Sequence, residues 1–369
     1  MKSVFLIGTR WFGVLGPCKL LIDELCSRGY AVYVFGQKDA HYEQFDHQKV
    51  TLIEINSKRS YFSFFSDLCD VVKIRRYIKK LSPDYIHSFN PKPSLLSYFS
   101  LIANRKVIFN IGVTGLGNTF IKAKYLRGVI ASVMRRAGLR ANNIFFQNPD
   151  DMNLFRSLLK LPNHKMRMFR SPGVDTDRFK LPDRDLAEEP IKVLLVARLL
   201  WQKGVDDFCE TYSRLKELGL SDHYRFTLVG ELDLDHPDRL TNADAEKIAK
   251  SGISWIRWTD RIEDIYAAND ILLFMSKREG GPRAILEASA MYMPTIGSDC
   301  VGVRELINDG ITGFLVQLGD VEKIVGYLEA YRKDLGMIKV HGVSARKEIA
   351  EKFSLKNATK AQLEMYKSV

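Results

Sequence analysis

The sequence predicts an α/β protein made of two doubly wound domains, each with a parallel sheet between layers of helices. Short apolar runs alternate with longer stretches of helical pattern through both halves of the chain, which is typical of parallel α/β domains. The length of 369 residues and the hydrophobic content of 46% are sufficient for a separate core in each domain. No internal repeat or low-complexity segment interrupts the alternation.

The predicted domain boundary is an acidic segment with a proline at each end, Pro182–Pro190. Such a composition is typical of an exposed linker. We therefore expect an N-terminal domain over residues 1–181 and a C-terminal domain over residues 191–354.

The predicted strands are short apolar segments bounded by polar or turn-forming residues. In the N-terminal half they are Val4–Ile7, Ala31–Phe35, Thr51–Ile55, Tyr85–His87, Val107–Asn110 and Asn143–Phe146. In the C-terminal half they are Val193–Val196, Arg225–Val229, Ile253–Ile256, Ile271–Met275, Thr295–Ser298 and Gly313–Val316.

The net charge of +11 is unevenly distributed. Residues 1–185 contain 30 Lys and Arg against 15 Asp and Glu, whereas residues 186–369 contain 25 against 29. This asymmetry indicates that the first half faces an anionic partner. Lys73–Leu81 and Phe120–Arg140 mix basic with apolar residues, which fits an interfacial helix on anionic lipid or a surface helix packed on the core. Nucleic acid is not expected, because no Cys/His finger or RNP-type aromatic strand supports it.

The cysteines and the apolar runs indicate the compartment. Five scattered cysteines without C-x-x-C pairs indicate reducing surroundings and neither a disulfide framework nor a zinc site. The run Val4–Ile7 is too short for a signal peptide and Arg10 interrupts the region. No stretch reaches the roughly 18 apolar residues that span a membrane. We expect a cytoplasmic protein, peripheral on the inner face of the cytoplasmic membrane.

Two carboxylates eight residues apart, Glu279 and Glu287, flank a Gly-Gly-Pro turn. Asp270–Ser276 is typical of a short buried strand, and Ala284–Ala290 is a good helix-forming run. Pro282 suits the first helical position, where its missing N–H costs nothing. The helix start would offer backbone N–H groups to a diphosphate, while the carboxylates meet a sugar and a ribose. This outlines a nucleotide-sugar site, although a Glu pair at this spacing alone is common by chance.

A second anion-binding feature follows the apolar strand Val193–Ala197. Arg198 comes directly after the strand, at the edge where ligands of doubly wound sheets bind, and Lys203 follows five residues later. A guanidinium can hold a diphosphate bidentately, and a lysine acts on it as a point charge. Ordinary surface charges are the alternative interpretation of both residues.

The N-terminal half offers further candidates after its strands. Gly8–Gly13 would allow the backbone to approach a ligand, although the Lys-Ser/Thr pair of a P-loop is missing. His87 ends a strand, where a histidine is also commonly structural. Asn110–Phe120 contains a Gly-x-Gly pattern that suits either a ligand or a tight turn. The candidates are Gly13 for a donor, His87 for catalysis, and Arg10, Lys92, Thr114, Gly115 and Gly117 for an acceptor.

Together these residues resemble glycosyltransferase family 4, the retaining enzymes of the GT-B fold. Glu279 and Glu287 match the family's E-x7-E motif, with its usual surroundings at Gly280, Pro282, Leu286 and Ala288. Further segments that resemble the family are Gly173–Phe179, Ala197–Gly204 and Val303–Val316. The resemblance is strong over residues 170–320 and thinner but continuous over the N-terminal half. One position departs, because Tyr292 stands where the family usually has glycine.

The resemblance implies two Rossmann-like domains facing a central cleft, with a last helix within residues 355–369 that completes the N-terminal domain. It implies transfer of a sugar from a nucleotide diphosphate with retention at the anomeric carbon. Glu279, Arg198 and Lys203 would serve catalysis. The donor would be bound by Arg198, Lys203, Gly280, Gly281, Pro282, Leu286 and Glu287.

No metal or further cofactor is expected for this reaction. Arg198, Lys203 and the helix dipole would balance the diphosphate charge instead of Mg²⁺. Two segments match a metal-binding D-x-D motif only superficially. Asp175–Asp177 lies in the segment that leads to the hinge, and Asp233–Asp235 lies in a polar loop.

The substrates are suggested by a subgroup of the family. Three segments resemble those of enzymes that extend undecaprenyl-diphosphate-linked oligosaccharides in bacterial surface glycan or glycoprotein assembly. The segments are TGLG, ARLLWQKGV and SDCVGVREL. The resemblance to this subgroup suggests a UDP-sugar, such as a UDP-hexosamine, as donor. Three alternatives stay open: a non-catalytic subunit of similar sequence, a family 4 enzyme with another lipid or soluble acceptor, and an NAD-dependent oxidoreductase. The oxidoreductase would require G-x-G-x-x-G after the first strand, and Gly8–Gly13 does not match it.

Overall fold

The computed structural model describes most of the chain. The described residues are 2–39, 42–44, 49–56, 64–102, 104–115, 127–169, 173–181, 188–233 and 236–366. Within these ranges, no helix combines the length and the apolar character that crossing a membrane requires.

The chain folds into two compact units. The first comprises Met1–Pro172 and Lys356–Val369, and the second comprises Gly173–Leu355. This division falls nine residues before the predicted end of the N-terminal domain at residue 181. Val174 donates a backbone hydrogen bond to Phe353 and accepts one from Leu355, and Phe179 is buried in the core of the second unit. These contacts hold the segment after residue 172 to the second unit, whereas most of the predicted linker, residues 182–187, lies outside the described ranges.

The first unit is a parallel sheet with helices on both faces. Its strands are β1 (Ser3–Arg10), β2 (Ala31–Gln37), β3 (Val50–Glu54), β4 (Tyr85–Phe89), β5 (Ile108–Val113), β6 (Asn143–Phe146) and β7 (Met166–Met168). They lie in the order β3-β2-β1-β4-β5-β6-β7, and each neighbouring pair is parallel. The order reverses direction between β1 and β4, which is the signature of a doubly wound sheet.

The helices of the first unit form two layers. They are α1 (Phe12–Leu15), α2 (Lys19–Ser27), α3 (Phe64–Leu81), α4 (Pro91–Ser100), α5 (Arg127–Arg140), α6 (Pro149–Leu159) and, from the end of the chain, α13 (Leu355–Leu363). One buried cluster joins the sheet to α3, α4, α5 and α6, and another joins it to α1, α2 and the C-terminal residues around Tyr366. Tyr366 packs on Tyr85, and Tyr85 donates a hydrogen bond of 3.0 Å to the Tyr366 carbonyl. The chain end thus completes the first core.

The second unit repeats this architecture. Its strands are β8 (Ile191–Val196), β9 (Tyr224–Val229), β10 (Ser254–Ile256), β11 (Ile271–Phe274), β12 (Thr295–Ser298) and β13 (Gly313–Val316), in the order β10-β9-β8-β11-β12-β13. Its helices are α7 (Val205–Glu217), α8 (Asn242–Lys250), α9 (Ile262–Ala267), α10 (Arg283–Ala290), α11 (Val321–Lys333) and α12 (Leu335–Phe353). All of its neighbouring strands are parallel, and their order reverses between β8 and β11.

The predicted α/β class and every predicted strand are confirmed, with one strand missed. β7 consists of Met-Arg-Met at the sheet edge, where Arg167 and Met168 are exposed, so no apolar run marked it. Of the two glycines predicted to follow the first strand, Gly8 lies within β1 and Gly13 lies within α1. A Cβ on Gly8 would lie 2.3 Å from Val14 Cγ2, so that glycine serves the packing of α1 on β1.

Tyr292 keeps the turn that glycine would ordinarily make. Its φ of 59° is left-handed, a conformation that costs a side-chain-bearing residue about 1–2 kcal/mol. Arg346 lies over its ring at 5.7 Å and donates hydrogen bonds to the carbonyls of Ala290 and Phe179. A Cβ on Gly342 would lie 2.1 Å from the Tyr292 carbonyl oxygen. The close approach of α12 therefore holds the turn in place.

A buried carboxyl links α7 to the loop before α11. Asp207 is 6% exposed and accepts a hydrogen bond of 2.9 Å from the backbone N–H of Gly319. Burial raises the pKa of Asp207 from 3.8 to about 6, against the lowering effect of that hydrogen bond. The folded protein therefore favours the neutral carboxyl group.

We expect Asp207→Asn to stabilise the protein above pH 6 and to have little effect below pH 4. Because the folded pKa is raised, the cost of the charged carboxylate is absent at low pH, develops as the pH rises and is complete above the folded pKa. A shift of this size corresponds to at most about 3 kcal/mol. Urea unfolding as a function of pH measures the difference.

Asp244→Asn supplies a control of opposite sign. Hydrogen bonds from Thr241 lower the pKa of Asp244, so this variant should lose stability at neutral pH and recover at low pH. If the stability of both variants changes with pH in the same direction, the proposed destabilising effect of the charged Asp207 carboxylate is contradicted.

Candidate active site at the sheet edge of the second unit

The loops after three neighbouring strands of the second unit are joined by backbone hydrogen bonds. β11 lies between β8 and β12. Lys277 N–H, after β11, donates to the carbonyl of Gln202, after β8, at 2.9 Å. Glu279 N–H donates to the carbonyl of Val301, after β12, also at 2.9 Å. Ligands of doubly wound sheets bind at such a reversal of strand order, here between β8 and β11.

Two of the predicted residues meet in these loops. Lys203 Nζ lies 2.5 Å from Glu279 Oε1, and both side chains are mostly buried, with exposures of 16% and 13%. A pair held at this depth is only partly solvated, so removing one partner leaves the other with an uncompensated charge. An entering anion would compete with Glu279 for the Lys203 ammonium group.

Two glycines allow the loops to come this close. Gly204 follows Lys203 with φ 77°, and a Cβ there would lie 2.3 Å from the Met275 carbonyl oxygen. Gly302 has φ 85°, and a Cβ there would lie 2.3 Å from the carbonyl oxygen of Glu279 itself. Only glycine, which has no Cβ, can combine a positive φ with so close an approach of another backbone. Together these glycines fix the backbone on both sides of the ion pair.

The second carboxylate, Glu287, lies on α10 and is 8% exposed. Its Oε2 accepts a hydrogen bond of 3.1 Å from the hydroxyl of Tyr266, and its Oε1 accepts one of 3.0 Å from Arg283. Burial, with the nearby Glu287 carboxylate as a smaller cause, raises the pKa of Tyr266, so Tyr266 stays a hydrogen-bond donor. Since an ionised carboxylate has about four acceptor positions, Glu287 can still accept from a ligand hydroxyl.

The start of α10 lies between the two carboxylates in sequence. Pro282, predicted at the first helical position, is instead the N-cap of α10, with φ −70° and ψ 115°. Its ψ is extended rather than helical, so the helix begins one residue later, at Arg283. Within the described residues no side-chain hydrogen bond caps this helix, and Gly280 and Gly281 immediately precede the cap. The predicted anion site would use the first backbone N–H groups of α10. Leu286, also predicted, is 1% exposed and belongs to the core.

Arg198 forms a different pair. Its Nη1 lies 2.5 Å from Asp233 Oδ2, where Asp233 follows β9 and its side chain is 11% exposed. The Arg198 side chain is 48% exposed, so one edge of its guanidinium is held while the group remains accessible. Such orientation favours bidentate binding of a phosphate.

His87 lies in the core of the first unit. It is 2% exposed, stacks on Phe89 at 4.4 Å, and its Nδ1 lies 3.2 Å from the hydroxyl of Tyr366. Burial lowers the pKa of His87 to about 3, so the imidazole is neutral under ordinary conditions. These contacts explain the burial of His87 without a ligand, and its predicted catalytic role stays a prediction.

Other predicted acceptor residues lie near the ends of β4 and β5. Lys92 is 9% exposed and pairs with Asp67 of α3 at 2.9 Å. Thr114 donates a hydrogen bond to Asn90 Oδ1, and Asn90 has φ 75° and ψ 159°, a conformation that ordinarily only glycine adopts. Gly115 has φ 145°. Asn90 was not among the candidates selected from the sequence. Its strained φ and ψ are properties of the folded backbone that the sequence does not reveal.

The remaining predicted residues are less informative. Arg10 ends β1, where the pairing with β2 is irregular, and it is partly exposed. Gly13 is exposed with open space around its Cβ position, so the structure gives no packing reason for glycine there. Gly117 lies outside the described residues.

Acidic D-x-D segments do not form a metal cluster in the part of the chain that is described, where no three His, Cys, Asp or Glu side chains converge. Asp175 instead accepts backbone hydrogen bonds of 3.1 Å from Asp177 and Arg178, which closes a turn. Asp233 pairs with Arg198, and Asp235 lies outside the described ranges. Metal independence stays a prediction.

We expect Gly302→Ala to cost clearly more stability than Gly310→Ala. Both glycines have positive φ, but a Cβ on Gly310 meets nothing within 4 Å, whereas that on Gly302 collides with the backbone of Glu279. The shared conformational cost is about 1–2 kcal/mol, and forced overpacking adds about 1–3 kcal/mol. Urea unfolding of both variants isolates the second contribution. Equal losses would show that Gly302 does not constrain Glu279.

Known proteins are similar to this chain over most of its length. The family model "Glycosyl transferases group 1" matches residues 190–334, and the model "Glycosyltransferase Family 4" matches residues 18–178. The chain is 26% identical over 343 residues to N,N'-diacetylbacillosaminyl-diphospho-undecaprenol alpha-1,3-N-acetylgalactosaminyltransferase of Campylobacter jejuni, covering 86% of this chain and 87% of that one. It is 23% identical to UDP-Gal:alpha-D-GlcNAc-diphosphoundecaprenol alpha-1,3-galactosyltransferase of Escherichia coli, covering 79% and 77%.

A solved structure shows the same fold. HepE of Anabaena, in complex with UDP and glucose, superposes with a TM-score of 0.80 at 14% identity and covers 100% of both chains. The two family models together span most of the chain, and the resemblance noted at Glu279, Glu287, Arg198 and Lys203 lies in the matched part. The chain therefore belongs to glycosyltransferase family 4, has the GT-B fold and is a hexosyltransferase.

Proposed function

We propose that this enzyme transfers a sugar from a UDP-sugar, with retention at the anomeric carbon, to a saccharide carried on polyprenyl diphosphate. The observation that carries the proposal is the buried Lys203–Glu279 pair, 2.5 Å apart, at the strand reversal of the second unit. A cation already placed at this edge beside a carboxylate suits a ligand that has both a diphosphate and sugar hydroxyls.

The donor contacts follow from the chemistry of each group. Lys203 and Arg198 bind the diphosphate, together with the backbone N–H groups at the start of α10. Glu279 accepts hydrogen bonds from hydroxyls of the donor sugar, and Glu287 accepts them from the ribose. Support for UDP as the nucleotide comes from the UDP complex of HepE and from the donor named for the Escherichia coli relative.

The reaction breaks the bond between the anomeric carbon and the diphosphate oxygen. The acceptor hydroxyl attacks on the same face and transfers its proton to the departing phosphate oxygen, so charge develops on the diphosphate. Arg198 and Lys203 stabilise that charge without a metal ion. The buried His87 takes no step in this scheme.

The acceptor proposal rests on relatives and on charge. The printed names of the Campylobacter jejuni and Escherichia coli relatives specify undecaprenol-diphosphate acceptors. The basic residues of this chain are concentrated in residues 1–185, which suits an acceptor diphosphate at an anionic membrane surface. We place the enzyme peripherally on the inner face of the cytoplasmic membrane, in the assembly of a capsule, an O-antigen or a glycoprotein glycan.

Lys203→Ala should weaken UDP binding by roughly tenfold to a hundredfold, the worth of a hydrogen bond to a charged group. The loss also leaves Glu279 as an uncompensated negative charge beside the diphosphate. Calorimetric titration with UDP, with and without EDTA, measures the effect, and EDTA should not change it.

Lys277→Ala is the matched control. Lys277 lies in the same loop as Glu279 but is exposed and pairs with Asp206 at 3.6 Å, so UDP affinity should stay within about threefold. Equal affinities for the Lys203 variant and the unmodified enzyme would contradict the donor assignment. Turnover of a UDP-sugar panel with soluble acceptors but not with polyprenyl-linked ones would contradict the acceptor assignment alone.

A further inference from the structure

Glu287 is an ionisable residue on a stretch of α10 that otherwise belongs to the core. Its neighbours Ile285, Leu286 and Ala288 are at most 1% exposed, and Glu287 itself is 8% exposed. Burying a carboxylate with its partners is often no more favourable than burying an apolar side chain of similar volume. The presence of Glu287 at this depth is therefore better explained by a ligand than by packing.

Tyr266 of α9 holds one oxygen of this carboxylate from within the core. Its side chain is 0% exposed, and its hydroxyl donates to Glu287 Oε2 at 3.1 Å. Its ring meets the ring of Phe179 edge-on, with the two centroids 6.0 Å apart, and Phe179 is also buried. Close packing in a core restricts a ring to its rotamer, so the hydroxyl acts as a donor in a fixed position.

Arg283 holds the other oxygen and is the more mobile partner. Its Nη2 donates to Glu287 Oε1 at 3.0 Å, and its side chain is 45% exposed, whereas that of Glu287 is 11% exposed. Each carboxylate oxygen thus has one described donor. Since an ionised carboxylate has about two acceptor positions on each oxygen, Glu287 can accept one further hydrogen bond on each of them.

One further acceptor position on each of two adjacent oxygens matches a pair of neighbouring hydroxyls, such as the 2′ and 3′ hydroxyls of a ribose. We propose that Tyr266 is a positioning residue that keeps the Glu287 carboxylate oriented toward both hydroxyls, and that it thereby sets the preference of the enzyme for a ribonucleotide. The inference rests on the ribose contact proposed for Glu287 and adds the residue that determines its geometry.

A second Tyr-Glu-Arg arrangement in the same unit shows the geometry that Tyr266 prevents. Arg332 donates from Nε to Glu329 Oε1 at 2.7 Å and from Nη2 to Glu329 Oε2 at 2.8 Å. Such bidentate pairing is the arrangement that an arginine and a carboxylate favour. Without the Tyr266 hydroxyl, Arg283 would be free to draw Glu287 into the same geometry, which would turn the carboxylate away from the orientation it has here.

Calorimetric titration with UDP and with 2′,3′-dideoxy-UDP tests this role. The unmodified enzyme should bind UDP at least about tenfold more tightly, because the dideoxy nucleotide lacks both hydrogen bonds to a charged group. Tyr266→Phe keeps the ring beside Phe179 but should bind UDP roughly fivefold more weakly, while its affinity for the dideoxy nucleotide should change less than about twofold. A residue with a merely structural role would affect both nucleotides alike, and that result would overturn the proposal.

Tyr224→Phe is the matched control. Tyr224 is also 0% exposed, and its hydroxyl donates to Glu329 Oε1 at 2.7 Å. It begins β9 and therefore lies at the amino edge of the sheet, opposite the loops that follow the strands. This variant removes the same kind of hydrogen bond, so it should lose stability but keep the preference of the unmodified enzyme for UDP. A loss of that preference equal to the loss in Tyr266→Phe would contradict the specific role of Tyr266.

Glu287→Gln tests whether Tyr266 acts through the carboxylate. The preference for UDP should fall in Glu287→Gln, and adding Tyr266→Phe should cause no further loss, because two residues that act on one contact are not additive. Additive losses would overturn the proposal. If the unmodified enzyme binds both nucleotides equally, the ribose contact and this inference are contradicted while the diphosphate contacts stand. If it binds neither nucleotide, the proposed function is itself contradicted, and this inference with it.

Discussion

The ion pair between Lys203 and Glu279 is the interaction on which the site of the second unit depends. It exists because Gly204 and Gly302 allow the loops after β8, β11 and β12 to approach at backbone distance. The two charges are mostly removed from water, and their attraction must offset that desolvation. A structure that needed only stability could replace the pair with apolar residues. Its presence at the strand reversal is better explained by a ligand that carries negative charge.

The sequence was sufficient to predict the α/β class and all described strands except β7, because each of those strands has a local pattern of apolar residues. The Gly-Gly-Pro turn between two carboxylates is the local pattern on which the predicted donor site rests. Long-range partners had no such pattern. Asp233 meets Arg198 across 35 residues, and Tyr266 reaches Glu287 across 21. The division after residue 172 also has no local pattern, because it depends on the hydrogen bonds between Val174 and residues 353 and 355.

In the first unit, some polar and basic residues are buried in structural contacts whereas others are exposed. His87 and Lys92, chosen from sequence for ligand contacts, are buried against Phe89 and Asp67. The basic stretch of α3 was visible in the sequence, whereas the exposure of Phe65, Leu68 and Val72 was not, since apolar residues in a helix ordinarily face a core. Burial of Asp70 and pairing of Asp67 decide the character of that face, and both depend on tertiary contacts.

The most direct test of the account is the UDP affinity of Glu279→Gln, measured by calorimetry beside Lys203→Met and the double variant. If Glu279 holds Lys203 for the diphosphate, removing its charge removes a competitor and a repulsion, so UDP should bind about threefold more tightly or better. The double variant should then bind UDP more tightly than Lys203→Met alone, because it also removes the uncompensated charge of Glu279. If Glu279→Gln instead loses as much UDP affinity as Lys203→Met, the pair serves only to hold the loops together, and the account of the site is contradicted.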